Sequence, residues 1–250
     1  MIVLGIDTST AATAVALRLA DASTAEIRDD PAAGAHPGHA TRLLQMAGEL
    51  LAREGLAWRQ VDRIAVGLGP GTFTGLRVGL ASARALAQSL SAEIVGVSSP
   101  RALAMGALAA ERADAVLAVT DARRGEAFAA AYAQGERFAP RELAAPRALA
   151  PGRLASVLAE AQDADGMPEG GSRWLAVGDG ALRFREQLDA AGVPSAPPGS
   201  PLHLASAVAI CELGARAAPA RLQEIVPDYR RRPDAELALQ GARSAKSVLR

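Results

Sequence analysis

The sequence predicts an α/β protein built as two related lobes with a cleft between them. Three observations carry this. The opening run Ile2-Val3-Leu4-Gly5-Ile6 is continuously apolar, as in a strand buried on both faces. The first hundred residues order as β-β-β-α-β-α-β, and the same theme returns more weakly afterwards. Repetition of one supersecondary unit points to duplicated lobes. The expected division is 1–99 for a first lobe, 100–201 for a second, degenerate lobe, and 202–250 for a helix and tail packing back on both.

Each element has its local reason. Asp7-Thr8-Ser9-Thr10 ends the first strand with turn-forming residues, and Ala14–Leu17 and Thr24–Ile27 follow as short strands. Leu43, Leu44, Ala47, Leu50 and Leu51 recur on one face of a helix spanning about His39–Arg53. Ile64–Leu68 is another buried strand, Gly69–Gly75 a loop, Leu76–Leu90 a helix and Ile94–Val97 a fifth strand. The second half predicts a helix from Pro100 to Arg112, strands at Ala115–Val119 and Glu126–Ala133, and a turn at Asp121–Gly125 between them. A helix at Pro151–Ala161, a strand at Trp174–Val177 and helices at Ala181–Ala191 and Leu204–Ala217 follow. Gln162–Ser172 is polar and Gly-rich and is expected to be mobile, Gly192–Pro201 is a loop, and Ile225–Arg232 is an extended tail.

Composition removes several functions. The chain has 250 residues, half of them hydrophobic, which is enough for a sizeable core. Lys+Arg and Asp+Glu are both 27, so a broad phosphate-binding face acting alone is disfavoured. Only Lys246 among the basic residues is lysine, and aromatics are 3%, leaving few platforms for stacking bases. The single Cys211 excludes a disulfide framework and reads as a small buried hydrophobe. No basic leader and no apolar run of membrane length is present, so a cytoplasmic protein without membrane contact is expected.

Four stretches could carry chemistry. A carboxylate and hydroxyls at Asp7–Thr10 could hold a hydrated Mg²⁺ and a phosphate, or could simply satisfy their own turn. Gly69-Pro70-Gly71-Thr72-Phe73-Thr74-Gly75-Leu76-Arg77 joins a buried strand to a helix N-terminus. It suits either an anion or a structural connector with Phe73 plugged into the core or a partner. It lacks the Lys-Ser/Thr of a Walker A loop. Gly79, Ala81, Ser82, Ala83, Ala85 and Ala87 follow, allowing close packing on the chain's own sheet or in an inter-subunit bundle. Asp121-Ala122-Arg123-Arg124-Gly125-Glu126 mirrors the first acidic turn, with arginines where a phosphate loop needs glycine, and a salt-bridged hairpin is the plainer reading. Gly178-Asp179-Gly180 could offer adenosine a flat backbone surface, or Asp179 could cap a helix. His36 and His39 lack helical spacing and a third ligand, so no metal site is expected. Arg230-Arg231-Arg232 is balanced by Asp228, Asp234 and Glu236.

Taken together, Ile6-Asp7-Thr8-Ser9, Gly69–Arg77 with Val78-Gly79, Asp121–Glu126, Gly178-Asp179-Gly180, Val226-Pro227-Asp228-Tyr229-Arg230 and Pro233-Asp234-Ala235-Glu236 resemble, in order, the bacterial TsaB (YeaZ) family. The resemblance spans essentially the whole chain, and the Gly69–Arg77 string is its most specific part. It implies the two-lobed actin/Hsp70/sugar-kinase (ASKHA) fold. It also implies a role in making threonylcarbamoyladenosine in tRNAs that read codons starting with A. The expected role is that of a non-catalytic partner of TsaD, with the TsaE ATPase in a ternary complex and TsaC supplying threonylcarbamoyl-adenylate. A homodimer is implied when the partner is absent, with tRNA met only through the complex. No cofactor of its own is implied, though a nucleotide at the partner junction is allowed. Carried over by position, the partner interface would use His39, Leu43, Ala47 and Leu50 on one helix and Leu76, Gly79, Leu80 and Ala83 on the next. Asp7, Ser9, Asp121, Arg123, Gly178 and Asp179 would line a vestigial nucleotide cleft, since Ser9 and Arg123 stand where a working ATPase of this fold has glycine. The His-x-x-x-His metal pair of TsaD is absent. His39-Ala40-Thr41 replaces the family's usual His-Ser-Glu, so a polar contact from that Glu is not expected. An ATP-dependent phosphotransferase or hydrolase of the same fold is the alternative. A peptidase reading finds neither a triad nor a metal dyad.

Overall fold

The computed structural model describes residues 1–32, 35–110, 113–136, 139–165, 167 and 172–231. Arg112, residues 166 and 168–171 of the Gly-rich stretch, Arg232, Pro233–Glu236 and Lys246 lie outside the described residues. The first sheet contains β1 (Val3–Asp7), β2 (Thr13–Arg18), β3 (Thr24–Asp29), β4 (Arg63–Gly67) and β5 (Glu93–Val97), in the order β3-β2-β1-β4-β5. β1 pairs antiparallel with β2 and parallel with β4. Period-2 alternation sends Leu4 and Ile6 to one face and Val3 to the other. The first face is covered by α1 (His39–Arg53) and α2 (Phe73–Leu90). Their inward residues are Leu43, Met46, Ala47, Leu50 and Leu51, with Leu80, Ala83 and Ala87.

The opposite face is covered by α7 (Ala207–Arg216), a helix from the far end of the sequence. It lies close because β1 and the helix both present glycine. A Cβ on Gly5 would sit 2.5 Å from Cys211 Sγ, and one on Gly214 would sit 2.5 Å from Ala65 Cβ. Charge holds both helix ends. Glu26 Oε1 accepts the Ala207 N–H at 2.6 Å, at the positive N-terminus. At the other end the buried Arg63 guanidinium donates to the carbonyls of Gly214 at 2.7 Å and Ala217 at 2.9 Å, while also pairing with Glu93.

The second sheet repeats the plan. β6 (Ala115–Arg123), β7 (Glu126–Gln134), β8 (Pro140–Leu149) and β9 (Trp174–Val177) run in the order β8-β7-β6-β9, with β6 antiparallel to β7 and parallel to β9. α4 (Leu154–Gln162), α5 (Asp179–Arg183) and α6 (Arg185–Ala190) cover one face, and α3 (Ser99–Ala109) covers the other. α3 also touches α7 between the two sheets. The result is five layers, helix–sheet–helix–sheet–helix, which is the expected two-lobed α/β architecture.

Local details differ from expectation. α2 begins at Phe73, so Phe73-Thr74-Gly75 is its first turn and not a loop. α7 begins at Ala207, preceded by a single 3₁₀ turn at Pro201–His203. The helix expected over Ala181–Ala191 is broken at Phe184 into α5 and α6. The edge strand β8 was not anticipated at all. Among the described residues no helix is long and apolar enough to cross a membrane.

Candidate functional site

β1 ends at Asp7, 1% exposed, and both oxygens of its carboxylate accept hydrogen bonds from the chain itself. Oδ1 accepts the Ser9 N–H at 2.8 Å and the Ser9 hydroxyl at 2.7 Å. Oδ2 accepts the Ser99 hydroxyl at 2.8 Å. Ser99 Oγ accepts the Gly69 N–H at 3.2 Å, and the Ser99 N–H donates to the Gly69 carbonyl at 3.1 Å. The first acidic turn is thus bolted to the Gly69–Gly75 segment and to the start of α3. Two further bonds tighten this: Thr8 Oγ1 donates to the Gly75 carbonyl at 2.7 Å, and the Thr72 N–H to the Ser9 carbonyl at 2.7 Å.

Glycine is required by this closeness. A Cβ on Gly71 would lie 2.2 Å from the Ser9 carbonyl oxygen, and one on Gly79 2.2 Å from Thr8 Oγ1. His39 closes the other side. Its Nδ1 is 2.9 Å from Thr13 Oγ1, and its ring is buried near Gly75. Among the described groups Nε2 has no hydrogen-bond partner. Desolvation holds the His39 pKa below its ordinary value, against the opposing pull of Asp7, the Thr10 carbonyl and Asp29.

The second acidic turn sits at the matching place, the end of β6. Asp121 Oδ2 accepts from Arg183 at 2.7 Å, with Arg123 at 3.6 Å. Asp121 Oδ1 accepts the Arg123 N–H at 2.8 Å. Arg123 and Arg124 both have positive φ, at 66° and 51°. The hairpin therefore keeps a backbone that favours glycine while carrying arginine side chains. Asp179 Oδ1 accepts the Asp121 N–H at 3.0 Å, tying the Gly178-Asp179-Gly180 turn to the hairpin. Gly178 has φ 103°, and a Cβ there would meet the Val119 carbonyl oxygen at 2.1 Å. The crowding around Asp179 raises its pKa, chiefly by desolvation, although solvent still reaches the residue. Among the described residues no group of three His, Cys, Asp or Glu side chains converges.

The structure relocates the residues expected to meet a partner. His39, Leu43, Ala47, Leu50, Leu76, Gly79, Leu80 and Ala83 are all buried, and most belong to the first-lobe core. This corrects the choice of side chains: an apolar helical stripe marks the face packed on the helix's own sheet. The outward faces carry Thr41, Leu44, Gln45 and Glu49 on α1, and Arg77, Ala81, Arg84 and Gln88 on α2. Leu44 is 50% exposed. Phe73 plugs into no core. It lies at the surface, stacked on Tyr229 at 5.3 Å, with the Arg77 guanidinium 3.7 Å above its ring. Arg77 Nε donates to Tyr229 Oη at 2.9 Å. Sequence reading missed Ser99 and Thr13 as members of the first site. A serine opening a helix was the available signal for the former.

The family described as TsaD, tRNA N6-adenosine threonylcarbamoyltransferase, matches residues 31–239. The Haemophilus influenzae tRNA threonylcarbamoyladenosine biosynthesis protein TsaB is 39% identical over 125 residues, covering 50% of this chain and 51% of that protein. Its Escherichia coli namesake is 36% identical over 136 residues, covering 54% and 57%. The alignments thus span just over half the length of these curated relatives. The solved structure of YeaZ from Pseudomonas aeruginosa superposes with a TM-score of 0.72 at 27% identity, covering 91% of this chain and 99% of that one.

Proposed function

We propose that this chain, which belongs to the tRNA N6-adenosine threonylcarbamoyltransferase (TsaD) family and within it to the TsaB/YeaZ group, is the non-catalytic partner of a TsaD-type transferase. The names of the relatives support a role in threonylcarbamoyladenosine biosynthesis. The partner role is our reading, and the engagement of Asp7 carries it. A nucleotide-hydrolysing protein of this fold needs that carboxylate free for a hydrated cation. Here both oxygens accept hydrogen bonds from Ser9 and Ser99. Asp121 is likewise taken up by Arg183 and the Arg123 N–H.

In this reading the chain contributes surface rather than chemistry. The outward faces of α1 and α2, including Leu44 and Arg84, meet the transferase. TsaE joins as a third component, TsaC supplies the activated intermediate, and tRNA is held by the assembly. A nucleotide, where one binds, lies at the subunit junction. Without the transferase the same surface pairs with a second copy of the chain.

Reconstitution tests the proposal. The transferase, TsaE, TsaC, ATP, threonine, bicarbonate and substrate tRNA are combined with and without this chain, and modified adenosine is counted. The proposal expects product only with the chain present, and an undiminished yield with an Asp7→Asn variant that remains folded. Full turnover without the chain, or loss of turnover with folded Asp7→Asn, would overturn it.

A further inference from the structure

We infer that residues 225–231 form a strap that crosses from the first lobe to the second and sets the opening between them. The segment is anchored step by step. Ile225 is 3% exposed and belongs to the first-lobe core. The Asp228 N–H donates to the Leu68 carbonyl at 2.8 Å, just past the end of β4. Tyr229 stacks on Phe73 and accepts from Arg77, which fixes the chain on the first turns of α2. Arg230 turns back to Asp228 at 2.6 Å.

The next residue then crosses the gap. Arg231 Nη1 donates to the Ala122 carbonyl at 2.9 Å, and its Nε pairs with Glu126 at 2.9 Å. Both acceptors belong to the β6–β7 hairpin of the second lobe. A seven-residue segment therefore touches the segment beyond β4 and the acidic hairpin of the other lobe. Among the described residues the guanidinium reaches a carboxylate by a charge-assisted bond and a backbone carbonyl by another, a geometry that resists sliding. The strap thus ties the first turns of α2 to the β6–β7 hairpin and holds the two lobes at one relative angle.

The inference is tested on the full chain alone, so it stands or falls independently of the partner role. Cys211 is 0% exposed, so spin labels placed at Ala52→Cys on α1 and Ala159→Cys on α4 react selectively. Pulsed dipolar spectroscopy then reads the distance between lobes. The doubly labelled parent, diluted into an excess of unlabelled chain so that label pairs between two copies are rare, should give one narrow distribution. Adding Arg231→Ala with Tyr229→Ala should broaden it about twofold or add a longer-distance population of about a third or more. Glu126→Gln, which weakens the same crossing from the opposite lobe, should shift it in the same direction by less. Circular dichroism and the melting transition establish that each variant is folded. Distributions that overlay the parent in folded variants would overturn the strap. Broadening with Glu126→Gln but none with the tail variants would also overturn it, since the hairpin and not the tail would then set the angle.

Discussion

Ser99 Oγ donates to Asp7 Oδ2 across 92 residues of chain, at 2.8 Å. That bond joins the first strand of the first lobe to the helix that opens the second. It also fills the carboxylate oxygen that Ser9 leaves free. Asp7 thus braces the first strand against the start of α3.

Replacing Asp7 should therefore act on stability. Asp7→Ala leaves the Ser9 N–H and the Ser99 hydroxyl without their buried acceptor. The expected loss is about 2–4 kcal/mol, because unmade hydrogen bonds to a buried charge are costly. Urea unfolding reads this directly. A loss below about 0.5 kcal/mol would show that the brace contributes little.

Gly79 gives a test in which two effects have opposite signs. Alanine in a helix interior normally gains about 1 kcal/mol over glycine. At Gly79 the added Cβ would stand 2.2 Å from Thr8 Oγ1, which is held by its bond to the Gly75 carbonyl. Overpacking of this kind costs about 1–3 kcal/mol, so Gly79→Ala should destabilise. A rise in melting temperature would contradict the close contact.

Arg63 is the second structural charge to test. Arg63→Ala removes the donors to the α7 carbonyls of Gly214 and Ala217 and leaves Glu93 unpaired. We expect a loss of about 2–4 kcal/mol, and partial recovery with Arg63→Lys, which keeps the charge but not the fork. Thermal unfolding of both variants distinguishes the contributions.

His39 predicts a pH dependence. Its folded pKa lies below the ordinary value near 6.5, chiefly through desolvation. The unfolded chain therefore binds the proton more readily, and stability rises with pH. The His39 contribution is fully present above about pH 6.5 and is lost as pH falls through that value and below it. Melting curves should show the loss as pH falls below about 6.5, and His39→Gln should flatten it. A slope unchanged in His39→Gln would assign the dependence to other groups.

Much of the architecture was legible because burial writes a clear period into the sequence. β1 is apolar from Val3 to Ile6 because helices cover both its faces. The first acidic turn was legible because Asp and Ser mark a strand end, whereas β6 runs on through Asp121 to Arg123 and leaves only Arg124-Gly125 as the second turn. β8 escaped because it is an edge strand carrying Pro140 and Pro146, with arginine and glutamate on its open side, so it shows neither strict alternation nor an apolar run. The first turn of α2 escaped because Phe73-Thr74-Gly75 reads as loop chemistry, whereas Gly75 is needed for its closeness to the Thr8 carbonyl, Thr72 and His39. The interface residues were carried over by resemblance, and the structure buries their side chains within the first lobe. Periodicity reports which face a helix buries in its own lobe, and a face left for a partner has no period of its own.

The outward helix faces give the corresponding surface prediction. Leu44→Glu should leave the fold intact, because the side chain is half exposed, while weakening transferase binding at least about tenfold. Leu43→Ala should do the reverse, costing stability by cavity formation with a smaller effect on binding per folded molecule. Titration by calorimetry alongside melting curves separates the two.

The central claim is that this chain works by binding a TsaD-type homologue. The most direct measurement is size-exclusion chromatography with light scattering on the chain mixed with the transferase subunit from the same organism. The account predicts a stoichiometric complex that Leu44→Glu disrupts. Two separately eluting species at micromolar concentration would contradict it.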